Sequence, residues 1–268
     1  MKIKYWNVFE NFMRADKFFA DQFGSRTKSK EALEKGLVLR NGKPLSPKDT
    51  VTDADTYVFL TSQEEFVSAG GKKLARGLET FDVPVKDAVF ADLGASTGGF
   101  TDCLLQYGAK RVYCVDVGEN QLAAKIVNDE RVIVMDHTNA RYLSKEDFPE
   151  SVNIVSDLSF ISLKLVLPAV CQILSDDGHA VVLFKPQFEC GGTGLGKSGI
   201  LPVRFHGELL ADFYDFCTAL ELAPQNLVPA PIREKKNIEY VVHLIKGGQP
   251  ILKWKFMQKI NEIHENMQ

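Results

Sequence analysis

The apolar residues of this chain change period several times, and each change marks an element. From Val89 onward short apolar runs recur: Val89-Phe90-Ala91-Asp92-Leu93, Arg111-Val112-Tyr113-Cys114-Val115-Asp116, Val132-Ile133-Val134-Met135, Val152-Asn153-Ile154-Val155-Ser156 and Ala180-Val181-Val182-Leu183-Phe184. Runs of this length between turn residues fit strands buried on both faces. Between them apolar residues fall at helical spacing, as in Phe100, Cys103, Leu104 and Tyr107, and again over 163–174. Alternating strand and helix predicts an α/β fold with a parallel sheet covered on both faces. A helix over 204–220 and strands at 227–232 and 237–245 extend it, and the spacing of Ile251, Trp254, Phe256, Met257 and Ile260 predicts a C-terminal helix.

The first sixty residues pattern differently. Met13, Phe18 and Phe19 begin one helical stripe, and Ser25 caps a second helix with Leu33 on its buried side and Gly36 at its end. Leu37-Val38-Leu39 then runs into Arg40-Asn41-Gly42-Lys43, an Asn-Gly hairpin signal, and Tyr57-Val58-Phe59 is rich in strand formers. Beyond a polar stretch, residues 66–81 read as a helix closed by Pro84. The chain thus divides into an N-terminal arm (1–12), a small α/β unit (13–60), a linker (61–69), a main domain (70–247) and a helical tail (248–268).

Composition narrows the setting. Five widely spaced cysteines form no C-x-x-C pair, so neither a zinc site nor a disulfide framework is suggested, and a reducing cytoplasm fits. The first twelve residues lack the apolar core of a signal peptide, and no apolar run reaches the roughly 18 residues of a membrane span. Net charge is −3, unevenly spread: residues 13–48 carry nine Lys or Arg against four Asp or Glu, a net +5, leaving −8 elsewhere. A basic module on an acidic body fits an RNA-facing appendage, and a solvated helix face would give the same count.

The chemistry gathers after the first strand of the main domain. Asp92-Leu93-Gly94-Ala95-Ser96-Thr97-Gly98-Gly99-Phe100 leads through a glycine turn into a helix N-terminus, where backbone can approach a ligand and two hydroxyls sit near the positive end of the helix dipole. Such turns serve dinucleotides, nucleoside triphosphates and S-adenosylmethionine alike. Asp116 ends the next strand 22 residues after Gly94, where a carboxylate accepts hydrogen bonds from ribose hydroxyls. Asp136 and Asp157 end the third and fourth strands and Lys185 follows the fifth, so polar groups line the carboxyl edge, where open sheets bind ligands. Neighbouring fourth and fifth strands should bring Asp157 to Lys185; spacing alone does not say whether Lys73 and Glu239 join them. The first turn lacks G-x-G-x-x-G, against a nicotinamide enzyme. Gly191-Gly192-Thr193-Gly194-Leu195-Gly196-Lys197-Ser198 satisfies the phosphate-loop pattern, but Gly199 and Pro202 follow where that loop needs a helix, so a flexible loop over the site is expected instead. His206, opening the next helix, reads as a capping or surface residue.

Two resemblances sharpen this picture. Residues 13–20, 25–30 and 36–43 resemble the alpha-L RNA-binding motif shared by a small-subunit ribosomal protein, many pseudouridine synthases and some tRNA synthetases. The likeness implies phosphate contacts from Arg14, Arg26, Lys28, Lys30, Arg40 and Lys43, which position RNA without reading bases. Ser68-Ala69-Gly70-Gly71-Lys72-Lys73-Leu74, the Asp92 to Asp102 stretch, Asp157-Leu158-Ser159-Phe160-Ile161-Ser162-Leu163, Lys185-Pro186-Gln187-Phe188-Glu189 and Asn237-Ile238-Glu239-Tyr240, in that order, resemble the TlyA family. These are bacterial ribosomal-RNA ribose 2′-O-methyltransferases, historically called hemolysins, with an FtsJ-like catalytic domain. The resemblance implies a Rossmann-like class I methyltransferase fold, a mostly parallel seven-stranded sheet behind the RNA-binding unit. It also implies S-adenosylmethionine as cofactor, held by Asp92, Gly94, Ala95, Ser96, Thr97, Gly98, Gly99, Phe100, Asp116, Asp136 and Asn139, and a catalytic tetrad of Lys73, Asp157, Lys185 and Glu239. Cytidine in ribosomal RNA would be the substrate, ribosomal subunits the partners and a monomer the working form. A membrane-active hemolysin is the contrasting expectation. The family usually carries Arg where this chain has Ala69, and often Gly where it has Ser198.

Overall fold

The computed structural model describes residues 13–52, 55–59, 66–232 and 235–266. The expected N-terminal arm and residues 61–65 of the expected linker lie outside the described residues. Two compact units separate, one within 1–64 and one within 65–268.

In the first unit, β1 (Met13–Arg14) pairs antiparallel with β4 (Thr50–Val51), and β2 (Val38–Arg40) lies between β3 (Lys43–Pro44) and β5 (Tyr57–Phe59). Met13 therefore does not begin a helix: its backbone is committed to β4, and α1 (Ala15–Phe18) starts where the Ala15 N–H turns to the Asp49 carbonyl at 2.8 Å. The Ser25 hydroxyl caps α2 (Arg26–Glu34) by accepting from the Lys28 N–H at 3.2 Å. Asn41 and Gly42, with φ of 52° and 77°, make the two-residue turn that pairs Arg40 with Lys43. Ala15, Phe19, Leu33, Val38, Leu45 and Val51 form the core, with Phe19 edge-on to Tyr57 at 4.9 Å.

The second unit is built on a seven-stranded sheet. In spatial order it runs β11 (Leu222–Pro229), β12 (Tyr240–Lys246), β10 (His179–Phe184), β9 (Asn153–Ser156), β6 (Val89–Leu93), β7 (Arg111–Val115) and β8 (Val132–Met135). The five strands from β10 to β8 are mutually parallel, and β12 enters antiparallel between β10 and β11. One face packs α6 (Leu167–Ile173), α8 (His206–Ala219) and α9 (Lys253–Glu265); the other packs α3 (Ala69–Leu78) and α4 (Gly99–Gln106). α5 (Ala124–Val127) and α7 (Pro186–Glu189) are short. Among the described residues no helix is long and apolar enough to cross a membrane.

Two boundaries depart from the sequence reading. β11 begins five residues before the expected 227, because it is an edge strand, where Pro224 and Pro229 withhold no ladder hydrogen bond and a bulge absorbs the irregularity between Pro224 and Asn226. α3 is shorter than expected, capped by the Ser68 hydroxyl on the Gly70 N–H, because Phe66 folds back under the helix. A Cβ on Gly71 would stand 2.3 Å from Phe66 Cγ, and one on Gly99 in α4 would stand 2.1 Å from Ser68 Oγ and 3.0 Å from the Gly71 nitrogen. Bare backbone thus lets α3 lie against α4.

Gly71→Ala sets two effects against each other. Alanine gains about 1 kcal/mol of helix propensity, whereas forcing a methyl into Phe66 costs about 1–3 kcal/mol. The packing cost is expected to win, lowering the thermal midpoint by a few degrees in scanning calorimetry; a raised midpoint would show that Phe66 moves aside freely.

Candidate active site

At the carboxyl edge of the sheet the backbone leaves β6 at Leu93 and turns sharply. Gly94 takes φ 84°, with space for a Cβ only 3.0 Å from Leu158 Cδ2, and Gly98 takes φ 89° as it opens α4. The turn is held from the next strand: Asp116 accepts from the Ser96 N–H at 2.9 Å and from the Gly118 N–H at 2.8 Å. A cavity of about 1000 Å³ opens here, bounded by Gly94, Ser96, Asp116, Val117, Asn139, Asp157, Leu158 and Phe160 among others. The Asn139 side chain accepts from the Arg141 N–H at 3.1 Å. Asp136 does not bound this cavity; its carboxylate accepts from the Asn120 N–H at 3.1 Å.

An adjoining space of about 320 Å³ shares Gly94, Ser96, Asp157 and Ser159 with the first and adds Ser68, Ala95, Thr97, Gly99, Phe100 and three charged side chains. With Asp157 these make an alternating row. Lys185 Nζ lies 2.6 Å from Asp157 Oδ1, Asp157 Oδ2 lies 3.3 Å from Lys73 Nζ, and Lys73 Nζ lies 2.7 Å from Glu239 Oε2. The Lys185 side chain is 6% exposed and the other three 18–20%. Charges so withdrawn from water persist only when each faces its opposite. Lys185 also donates to Ser159 Oγ at 2.8 Å. Sequence reading passed over Ser159; its signal was its place two residues after Asp157 in the turn leaving β9.

Behind the turn Asp92 is fully buried. The Thr101 hydroxyl, also passed over, donates to its Oδ2 at 2.7 Å, while Oδ1 has no hydrogen-bond partner among the described residues. Burial, with added repulsion from Asp157 and against the help of Thr101, pushes the Asp92 carboxyl up to about 7.

The glycine-rich segment at 191–199 is a series of turns, and the first helical turn after it begins at Val203. No helix starts at Lys197-Ser198, so the phosphate-loop geometry is absent there. His206 is not a surface or capping residue: it is 1% exposed, and its ring nitrogens face Tyr240 Oη and the Leu201 carbonyl. It lies inward because α8 turns its first residue onto β12.

In the first unit Arg14 and Arg26 both grip Asp16, at 3.0 to 3.1 Å. Arg14, joined by Arg26 and opposed by burial, holds the Asp16 carboxyl at about 2. Two guanidiniums sharing one carboxylate keep a net positive charge and a fixed spacing. Arg40 donates to the Thr50 carbonyl at 2.8 Å and faces Asp55, Lys30 lies 3.6 Å from Glu34, and Lys28 and Lys43 are exposed with no ion pair among the described residues.

The chain is similar to named bacterial proteins over most of its length. Hemolysin A of Brachyspira hyodysenteriae is 37% identical over 82% of this chain and 94% of its own length. The 23S rRNA (cytidine-2'-O)-methyltransferase TlyA of Campylobacter jejuni is 31% identical over 88% of this chain and all of its own. A solved structure from Streptococcus thermophilus that carries a provisional hemolysin label is 36% identical, with a TM-score of 0.74 over 96% of this chain and 97% of that one. Residues 66–246 match the FtsJ-like methyltransferase family, and the chain belongs to that family, among the TlyA proteins.

Proposed function

We propose that this protein methylates the 2′-oxygen of a cytidine ribose in ribosomal RNA, using S-adenosylmethionine. The observation that carries the reading is the row Lys185, Asp157, Lys73 and Glu239, drawn from four separate elements to one edge of a methyltransferase sheet beside a nucleotide-sized cavity. The names of the TlyA relatives supply the substrate.

The residues present suit the cofactor. Asp116, already turned toward backbone N–H groups at the cavity wall, is placed to accept from ribose hydroxyls, with Asn139 and Val117 along the same wall. Asp92, fully buried behind the glycine turn and lining neither space, backs the turn with an unpaired Oδ1. Gly94, Ala95, Ser96, Thr97, Gly98, Gly99 and Phe100 supply the turn itself. When bound, S-adenosylmethionine supplies a methyl group activated by positive sulfur.

Lys185 does the acid–base work. Its Nζ donates to Ser159 Oγ at 2.8 Å and is ion-paired with Asp157 at 2.6 Å. Facing the ribose, Nζ would accept the proton of the attacking hydroxyl or, as the ammonium, stabilise negative charge on the same oxygen. Asp157 fixes Lys185 and bridges to Lys73, and Glu239 holds Lys73 as the second cation facing the substrate. The unit at 13–60 holds RNA through Arg14 and Arg26, preset by Asp16, with Lys28, Lys30, Arg40 and Lys43 adding phosphate contacts. Its work is that of a monomer in the cytoplasm.

Transfer of labelled methyl to ribosomal RNA lacking the modification tests the reading. Lys185→Ala is expected to lower the rate by about 100-fold or more with an unchanged circular dichroism spectrum; near-normal activity would remove Lys185 from the mechanism. Asp116→Ala is expected to weaken cofactor binding about 10- to 100-fold in calorimetry, the scale of a hydrogen bond to a charged group, and to spare the rate at saturation. Asp92 gives a pH signature. Its folded pKa lies above its unfolded one, so its contribution to stability is complete below about 4 and is lost as pH rises through about 7. The thermal midpoint of Asp92→Asn should therefore gain on the wild type between pH 5 and pH 8, and parallel pH profiles would count against a buried, protonated Asp92.

A further inference from the structure

One buried polar chain takes no part in the chemistry above. His206 Nε2 lies 3.1 Å from the Leu201 carbonyl oxygen. A carbonyl only accepts, so Nε2 carries the hydrogen. Burial pushes this imidazole down to about 4, so the ring is neutral and Nδ1 is a bare acceptor. Nδ1 accepts the hydrogen bond of the Tyr240 phenol, 2.9 Å away. The Tyr240 oxygen, its one hydrogen given, accepts from Nε2 of His264 on α9 at 2.7 Å. A single carbonyl thus sets the direction of every bond in the chain.

A second tie runs beside it. Asn237 Oδ1 accepts from the Leu201 N–H at 2.8 Å, and Asn237 Nδ2 donates to the Gly199 carbonyl at 2.9 Å. Asn237 stands two residues before Glu239, and Tyr240 one residue after it. The backbone on both sides of Glu239 is therefore fastened to residues 199–201, the end of the glycine-rich segment, whose first residues Gly191 and Gly192 bound the large cavity. Asn237 and Glu239 also share the wall of a third space, of about 260 Å³, with Lys73 and Gln187.

The geometry points to Asn237 and His206 as positioning residues for methyl transfer, locking the end of the glycine-rich loop to the backbone that carries Glu239, so that loop and acid keep one arrangement over the site. Glu239 precedes β12 and, among the described residues, has only the Ala230 N–H, 2.9 Å from its carbonyl, to fix it through the sheet. The loop, being turns, has no ladder of its own. Each lacks what the other supplies, and Asn237 spends both ends of its amide joining them. Displacement of a positioned group by about 1 Å costs up to about 100-fold in rate, so a loose Glu239 would release Lys73 at a substrate-facing point. The inference rests on the tetrad reading given under Proposed function.

A double-mutant cycle on the full chain tests it, with methyl transfer measured at saturating S-adenosylmethionine for wild type, Asn237→Ala, Glu239→Gln and the pair. Asn237→Ala is expected to lower kcat about 10-fold or more, to leave cofactor affinity within about 2-fold by calorimetry, and to cost nothing further once Glu239 is Gln. His206→Gln, which keeps a donor for the Leu201 carbonyl, is expected to retain more activity than His206→Leu, and the Leu201 amide should exchange faster in Asn237→Ala. Should that variant fail to fold, Asn237→Asp, which keeps the acceptor for Leu201 and loses the donor to Gly199, takes its place in the cycle. An unchanged kcat, or losses that simply add in the pair, overturns the proposal while leaving the tetrad intact. A Glu239→Gln enzyme at the wild-type rate overturns the tetrad reading and this one with it.

Discussion

The contact on which the site depends is the 2.6 Å approach of Lys185 to Asp157 at the carboxyl edge of the sheet. A lysine side chain only 6% exposed is tolerated in the fold where an opposite charge faces it. Asp157 in turn has two oxygens to satisfy, and the second reaches Lys73, which reaches Glu239. Each charge needs the next, so the row is stable as a whole and poorly divisible. That is the condition under which a buried polar network specifies one arrangement.

The remainder of the second unit supplies the positions for this row. Parallel strands β9 and β10 are neighbours, so residues just past their ends, Asp157 and Lys185, emerge side by side. Lys73 comes from α3, which lies close to α4 because Gly99 presents no Cβ to Ser68 Oγ and the Gly71 nitrogen, while Gly71 presents none to Phe66 beneath the helix. Glu239 arrives from the antiparallel strand β12, running opposite to its neighbour β10 and so bringing its N-terminal end to the edge where β10 finishes. Packing of bare backbone and reversal of one strand are thus as much a part of the site as the charges.

A different economy governs the first unit. Among its described residues, six buried apolar side chains with three more packed against them form the core, and Asp16, a buried carboxylate, binds two arginines that reach outward. A carboxylate that anchors two guanidiniums limits their rotamer freedom before any phosphate arrives, which reduces the ordering cost of binding.

Period and turn chemistry were enough to read the strand and helix alternation, the Asn41-Gly42 hairpin, the Ser25 cap and the glycine turn at Gly94, because these depend on a few adjacent residues. The adjacency of Asp157 and Lys185 was also legible, since strand order follows from the connection rules of such sheets. Lys73 and Glu239 were named by family likeness alone; no spacing joins residues 73, 157 and 239, and only the closure of α3 and β12 onto one edge brings them together. Ser159 carried only its place two residues after Asp157, and the path from His264 through Tyr240 to His206 carried no pattern at all, because a hydrogen bond across 24 or 34 residues is set by where two elements cross. By itself the sequence determined which residues could do the chemistry and which local turns present them. The tertiary structure decided which of them meet, because burial of a charge is permitted only where the fold delivers its partner.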